Sequence, residues 1–326
     1  MHTCCCSVRG RLQPPRLLGD QEAEGGGPHP SRKVFDRKSW LIRRCDFVGN
    51  MVAIGFPATA LLMVPRVARV APRAPLARML SSHPEEPQSV AQSLAATRAQ
   101  LADVSAACGR AAPPRLVAVS KTKPLELLRE AYDAGQRDFG ENYVQELVDK
   151  APHLPEDISW RFIGKLQSNK VKTLLRGVPT LSAFETLDSA KLANKLHTAL
   201  TAPEQPPRQS PLDVYIQVNT SPWEGTKGGV LAEDALELAS HVSERCGSLR
   251  LAGLMTIGAA GDSRCFDALV ACRAKVAAEL NVAEDSLELS MGMSGDYEEA
   301  TRAGSSSVRV GSAIFGAREY PAKAAA

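Results

Sequence analysis

No two of the eight cysteines form a CxxC pair, and the six histidines stand singly, without ligand spacing. A thiolate or imidazole metal site therefore has no support. Cys4, Cys5, Cys6, Cys45, Cys108, Cys246, Cys265 and Cys272 read as reduced, structural or incidental thiols of a reducing compartment. A charge excess of one sign is also missing. Thirty-nine Lys and Arg stand against 36 Asp and Glu, with much of the positive excess in the N-terminal third, so the folded part offers no nucleic-acid surface. No apolar run spans a bilayer, because the run over Met51–Val64 is short and interrupted by Gly55 and Pro57. Aromatics are few, yet hydrophobic residues make up an ordinary 44%. With 326 residues, more than one core usually needs, one large domain with an appendage is expected.

The appendage is N-terminal. Residues 1–85 are rich in Arg, Pro, Gly and Cys, show no sustained periodicity, and contain the flexible break Gly25-Gly26-Gly27-Pro28. Residues 47–84 hold no Asp or Glu but carry Arg66, Arg69, Arg73 and Arg78. Acid-free, arginine-bearing stretches resemble organelle transit peptides, mitochondrial or plastid, and translation from Met51 would bring this one to the N-terminus. The competing readings are a disordered extension and a gene-model artefact. The expectation is a disordered segment over 1–85 with a candidate address, a cytoplasmic or mitochondrial protein, a folded domain over 86–320 and a flexible tail over 321–326.

The remainder alternates strand and helix eight times. A first helix spans about 86–108, with Val90, Leu94, Leu101 and Val104 on one side. Strand-like runs follow at Arg115–Ser120, Arg137–Glu141, Trp160–Gly164, Thr180–Thr186, Asp213–Asn219, Arg250–Ile257, Ser286–Met291 and Ser307–Gly311. Helical patterns lie between them, with Gly135, Gly177, Gly247 and Gly304 at C-cap positions and Asp188, Ser189 and Asp296 placed to cap N-termini. Such alternation implies parallel β-α-β units, and eight of them predict a single α/β domain, a (β/α)8 TIM barrel. The rival is an open doubly wound sheet, whose commonest form would show a GxGxxG turn after the first strand; none is present.

In a barrel the chemistry lies at the carboxyl ends of the strands. Lys121 follows the apolar, β-branched run Arg115–Ser120 and precedes Thr122-Lys123-Pro124. Proline there favours a helix start, so Lys121 sits on a strand-to-helix junction with its stem against the core. A desolvated amine has a lowered pKa and forms a Schiff base with an aldehyde. After strand seven comes Ser290-Met291-Gly292-Met293-Ser294-Gly295-Asp296, and strand eight ends in Arg309-Val310-Gly311-Ser312. Barrels bind phosphate with these two loops, using backbone N–H groups, hydroxyls and glycines that admit an anion closely. Arg309 adds a permanent donor suited to a ring nitrogen. Lysine, phosphate cradle and ring partner together describe a pyridoxal 5′-phosphate site. An arginine against the pyridine nitrogen keeps that nitrogen unprotonated and weakens the electron sink, which favours holding the cofactor over strong carbanion chemistry. Lys123 reads as a solvated helix-start lysine or a relay for transfer, Glu141 as a rim orienter or an ion-pair partner, and Cys265 and Cys272 as one helix face.

The segments LVAVSKTKP (Leu116–Pro124), FGENYVQEL (Phe139–Leu147), FIGKLQSNKV (Phe162–Val171), ELSMGMS (Glu288–Ser294) and VRVGSAIFGAREY (Val308–Tyr320) resemble those of the pyridoxal phosphate homeostasis proteins. The resemblance implies one barrel like the N-terminal domain of alanine racemase, with the cofactor as an aldimine on Lys121. It also implies phosphate contacts from Ser294, Gly311 and Ser312, a ring-nitrogen contact from Arg309, and Asn142 near the cofactor. It further implies a protein that buffers the cofactor and supplies it to pyridoxal-phosphate-dependent apo-enzymes without turnover, as a monomer or weak homodimer. This chain departs from the family pattern at three places. Arg161 stands where a histidine commonly precedes FIG, Ser312 replaces a frequent threonine, and the segment Asn219–Gly229 gains Trp223 while keeping Lys227. The alternatives are a pyridoxal-phosphate-dependent amino-acid racemase and a cofactor-free Schiff-base aldolase. A racemase needs a second base facing the lysine. Only six residues follow Tyr320, so no further domain is expected to supply it, and Tyr143 or Tyr297 would have to serve.

Overall fold

A computed structural model describes residues 88–225 and 227–317. Strands β1 (Arg115–Val119), β2 (Asp138–Glu141), β3 (Ser159–Phe162), β4 (Leu181–Leu187), β5 (Leu212–Gln217), β6 (Leu249–Met255), β7 (Glu288–Met293) and β8 (Ser307–Val310) close in sequence order into one parallel barrel. The seam joins β1 to β8, pairing Leu116 with Val308 and Ala118 with Val310. The barrel is thus the predicted architecture, and the open-sheet alternative is excluded. The expectations for residues 1–85, including the targeting segment, and for the tail 321–326 lie outside the described residues. No helix among the described residues is long and apolar enough to cross a membrane.

Helix α1 (Val90–Ala107) begins on a capping box. Ser89 accepts from the Gln92 N–H, and the Gln92 side chain accepts from the Ser89 N–H. This satisfies two donors that the first helical turn would otherwise leave open. Val90, Leu94, Leu101 and Val104 are all buried, as their spacing predicts. Helices α2 (Leu125–Asp133), α3 (Val144–Lys150), α4 (Val171–Gly177), α5 (Ala190–Leu200), α6 (Ala235–Arg245), α7 (Arg264–Glu279) and α8 (Tyr297–Arg302) follow the strands. A ninth, α9 (Ser312–Phe315), is one turn long and replaces the expected extension of the last strand to Gly311.

Several end signals act differently from expectation. Gly135 and Gly304 take the left-handed conformation, at φ +85° and +98°, but Gly177 and Gly247 do not. A Cβ at Gly177 would lie 2.6 Å from Val148 Cγ2, so that glycine lets α4 pack against α3. Asp296 makes no side-chain cap; its Oδ1 accepts from the Met293 N–H at 2.6 Å and folds the loop after β7. Ser189 does cap α5, while Asp188 accepts from the Ser189 hydroxyl.

Apolar packing lies chiefly between the strands and the helix ring, where Phe139, Phe162, Phe184, Leu128, Leu147 and Leu174 are fully buried. Inside the barrel the pattern inverts. Tyr215 and Met255 pack with Ala183 and Ala252 in a small apolar cluster. Buried beside them in the strands are Arg161, Glu185, Ser290 and Arg309. Barrel interiors are ordinarily filled by branched aliphatic side chains, so charge here needs internal partners.

Candidate functional site

A cavity of about 260 Å³ opens at the carboxyl ends of β1, β7 and β8. Lys121, Ser294, Arg309, Gly311 and Ser312 line it, with an apolar wall from Val119, Ile163 and Met293. Five of the six predicted site residues therefore meet at one place, although they lie almost two hundred positions apart. The chain reaches this geometry through the strand ends. Ser120 N–H extends the β1–β2 pairing by donating to Gly140 O at 3.0 Å, and the Lys123 N–H turns back to Ser120 O at 3.1 Å. Lys121 is left half-buried between them.

The loops after β7 and β8 are tied to each other. Ser294 Oγ accepts from the Gly311 N–H at 3.1 Å. A hydroxyl that accepts one bond still has its own proton to donate. Gly311 approaches β1 closely: a Cβ there would come within 3.3 Å of Val119 Cβ and Val119 O. Hydroxyls and backbone donors gathered around small residues suit an anion.

Arg309 is buried and held from behind. Its Nη1 donates to Ser290 Oγ and its Nη2 to Thr256 O, each at 2.7 Å. Burial lowers the pKa of this guanidinium, against the attraction of Glu185. Ser290 Oγ donates in turn to Glu185 Oε2 at 2.6 Å, and Arg161 Nε donates to Glu185 Oε1 at 2.5 Å. Beyond that, Arg161 Nη2 donates to Tyr215 Oη, and Tyr215 donates to Glu288 Oε2, which also receives Arg115. Burial would push the Glu185 carboxyl up, but Arg161 and Arg309 together hold it below the usual range. Burial pushes the Tyr215 hydroxyl well above its ordinary value, against the pull of Arg161. The interior is thus a continuous polar column running from the cavity to the opposite mouth, and Arg161, read above only as a departure, is one of its links.

The remaining site expectations divide. Asn142 does not line the cavity. It follows β2, and its Oδ1 is buried without a hydrogen-bond partner. A Cβ on Gly164 would overlap the Asn142 carbonyl oxygen, so Gly164 lets the β3 end pass against the Asn142 peptide. Gly164→Ala is expected to displace that peptide and cost about 1–3 kcal/mol of stability through overpacking, measurable by urea denaturation. Lys123, half-buried, also lines the cavity, and its Nζ donates to Ala317 O at 2.7 Å. Glu141 is fully buried and pairs with Lys150 at 2.9 Å, so it belongs beneath the rim. Cys265 and Cys272 are both buried on α7, as expected. Lys227 lies 3.5 Å from Glu224 in the altered loop. Tyr143 is 56% exposed, and neither it nor Tyr297 lines the cavity. Lys150 and Glu146 escaped the sequence reading as site residues, since nothing in their spacing distinguishes them from other helix residues, and Ser290 and Thr256 were read only as strand-end residues without a role.

Fold and cavity together define a class: a single parallel barrel with an amine, a buried guanidinium and a hydroxyl-lined cradle at its carboxyl rim. The family model described as alanine racemase, N-terminal domain, matches residues 92–319. The chain is 44% identical over 221 residues to the human pyridoxal phosphate homeostasis protein, covering 64% of this chain and 78% of that protein. To the Escherichia coli protein of the same name it is 42% identical over 241 residues, covering 72% of this chain and 99% of that one. The solved structure of PipY from Synechococcus elongatus, with PLP bound, superposes with a TM-score of 0.57 at 31% identity, covering 70% of this chain and all of that one. The chain belongs to the alanine racemase N-terminal domain family and, within it, to the pyridoxal phosphate homeostasis proteins.

Proposed function

We propose that this protein binds pyridoxal 5′-phosphate, buffers it and supplies it to enzymes that need it, without turnover of its own. One observation carries the reading: Lys121, Arg309 and the Ser294–Gly311–Ser312 cradle line a single cavity. The named function of the relatives agrees with it. The cavity also fits the group chemically. It combines an amine, hydroxyl and backbone donors for an anion, a buried guanidinium and an apolar wall.

In this reading Lys121 holds the cofactor covalently. The Ser294 and Ser312 hydroxyls and the backbone at Gly311 hold its phosphate, Arg309 faces the ring nitrogen, and Asn142 stands near the ring. When bound, the cofactor supplies an aldehyde that condenses with amines and a ring that withdraws electrons. The chain's own groups limit the second property. A guanidinium stays protonated at physiological pH and can only donate, so Arg309 offers the ring nitrogen a hydrogen bond and no proton. Among the described residues lining the cavity, Lys121 and Lys123 are the only amines, and no Tyr, His or Cys accompanies them. A racemase needs a second base opposite its lysine, and Lys123, which donates to Ala317 O, fills that role poorly. Lys123 suits a relay that helps release the cofactor to a recipient apo-enzyme.

The test is loading of the purified protein with pyridoxal 5′-phosphate, borohydride reduction and peptide mapping, beside an amino-acid racemisation assay on the same sample. The expected result is one pyridoxyl group on the Lys121 peptide and no sustained racemisation. Sustained turnover would overturn the non-catalytic reading.

A further inference from the structure

We infer that Glu146 and Lys150, an ion pair on α3, are positioning residues that fix the direction in which Lys121 presents its amine. This deepens the cofactor reading above and rests on it. Lys121 has two rotatable backbone bonds, one to each flanking peptide group. Each of those peptide groups is held by the same ion pair. Lys150 Nζ donates to Ser120 O at 2.8 Å, gripping the peptide before Lys121. Glu146 Oε1 accepts from the Thr122 N–H at 2.5 Å, gripping the peptide after it. Glu146 and Lys150 then join at 2.6 Å, one helical turn apart.

The grip has a visible consequence. Thr122 is held at φ +61°, a left-handed conformation that a β-branched residue adopts only when its surroundings impose it. Released, Thr122 would return to an ordinary conformation and swing the Lys121 peptide with it. The brace is also well anchored. Lys150 is 7% exposed, and its three donors meet three acceptors: Ser120 O, Glu141 Oε1 and Glu146 Oε1. The Ser120 hydroxyl donates to the same Glu141 oxygen at 2.7 Å, so β1, β2 and α3 converge under the lysine. An exposed i,i+4 ion pair would do little. This one spends its hydrogen bonds on the backbone either side of Lys121.

The test follows the rate at which apoprotein captures pyridoxal 5′-phosphate, read as visible absorbance and as borohydride-fixed yield on the Lys121 peptide, with thermal melts alongside. The variants are Glu146→Ala, Glu146→Gln, Thr122→Gly and the double change Glu146→Ala with Thr122→Gly. Glu146→Ala is expected to slow capture roughly tenfold, the scale set by releasing one strained residue. Glu146→Gln keeps an oxygen that accepts from Thr122 and should recover most of that rate. In the Thr122→Gly background the left-handed conformation costs nothing, so Glu146→Ala should then slow capture by less than about threefold. A purely structural role would lower melting temperature and slow capture equally in both backgrounds, and that result would overturn the inference. Wild-type capture with an unchanged Glu146→Ala rate would overturn it alone. A wild-type protein that fixes no pyridoxyl group would overturn the cofactor reading, and this inference with it.

Discussion

Lys121→Ala is expected to abolish the borohydride-fixed pyridoxyl group and to weaken cofactor retention more than 100-fold, or upward of about 2.8 kcal/mol at roughly 1.4 kcal/mol per tenfold. The magnitude follows from what remains. Without the amine, the cradle of Ser294, Gly311 and Ser312 still offers hydroxyl and backbone donors, and Arg309 still lines the cavity. Neither forms a covalent bond with an aldehyde. The variant should therefore hold the phosphate weakly and release the cofactor on gel filtration. Lys123 lines the same cavity and is the natural substitute, but its Nζ already donates to Ala317 O at 2.7 Å. Full-strength fixation in Lys121→Ala, mapped to Lys123, would reverse the assignment of the two lysines. Because the side chain is half-buried at a strand end, its truncation should leave the melting temperature almost unchanged, which separates loss of the anchor from loss of the fold.

Glu185→Gln is expected to cost about 3–5 kcal/mol of stability at neutral pH, because removing one partner of a buried ion pair strands the other. Among the described residues, Arg161, which is 4% exposed, pairs closely with the Glu185 carboxylate and otherwise approaches only Asp138, at 3.9 Å. Ser290 transmits the same charge to Arg309, so cofactor retention should fall together with stability. The pH dependence has a definite sign. The folded Glu185 carboxyl lies below its ordinary 4.5, since Arg161 and Arg309 outweigh its burial. Its contribution is therefore present in full above that value and is lost as pH falls through the lower, folded value. Urea denaturation of wild type and variant should show a wide gap at pH 7 that narrows on acidification below 4.5. A gap that stays constant into the acid range would mean that Glu185 is not the charged partner of the two arginines.

The legible part of this molecule is its periodic part. Eight strand-like runs alternating with amphipathic segments specify β-α units. Parallel strands must be covered on both faces, which a barrel and a doubly wound sheet both achieve, and the pairing of β1 with β8 is what closes this one. Lys121 was legible because an ionisable residue at the end of a buried run is locally anomalous. Ser294, Gly311 and Ser312 were legible because their strands, numbered seven and eight, are where barrels hold anions. Asn142 shows one feature that no local pattern gives: it lies at the end of β2, and only the fold reveals that it stands outside the cavity lining. Lys123 shows another, since its cavity-facing side chain depends on a carbonyl at Ala317, 194 positions away.

The polar column was not legible for the same reason. Arg161 and Glu185 are 24 positions apart, Glu185 and Ser290 are 105 apart, and no local pattern relates them. Lys150 resembles any solvated lysine at a helix end, and only the packing of α3 under β1 buries it. The sequence by itself determined the repeat of eight β-α units and marked Lys121 and the loops after strands seven and eight, because each is encoded in residues close along the chain. The tertiary structure alone decided how Lys121 is aimed and how Arg309 is held. Both depend on buried charges whose partners meet only once the strands close, and a buried charge is tolerated only where such partners exist.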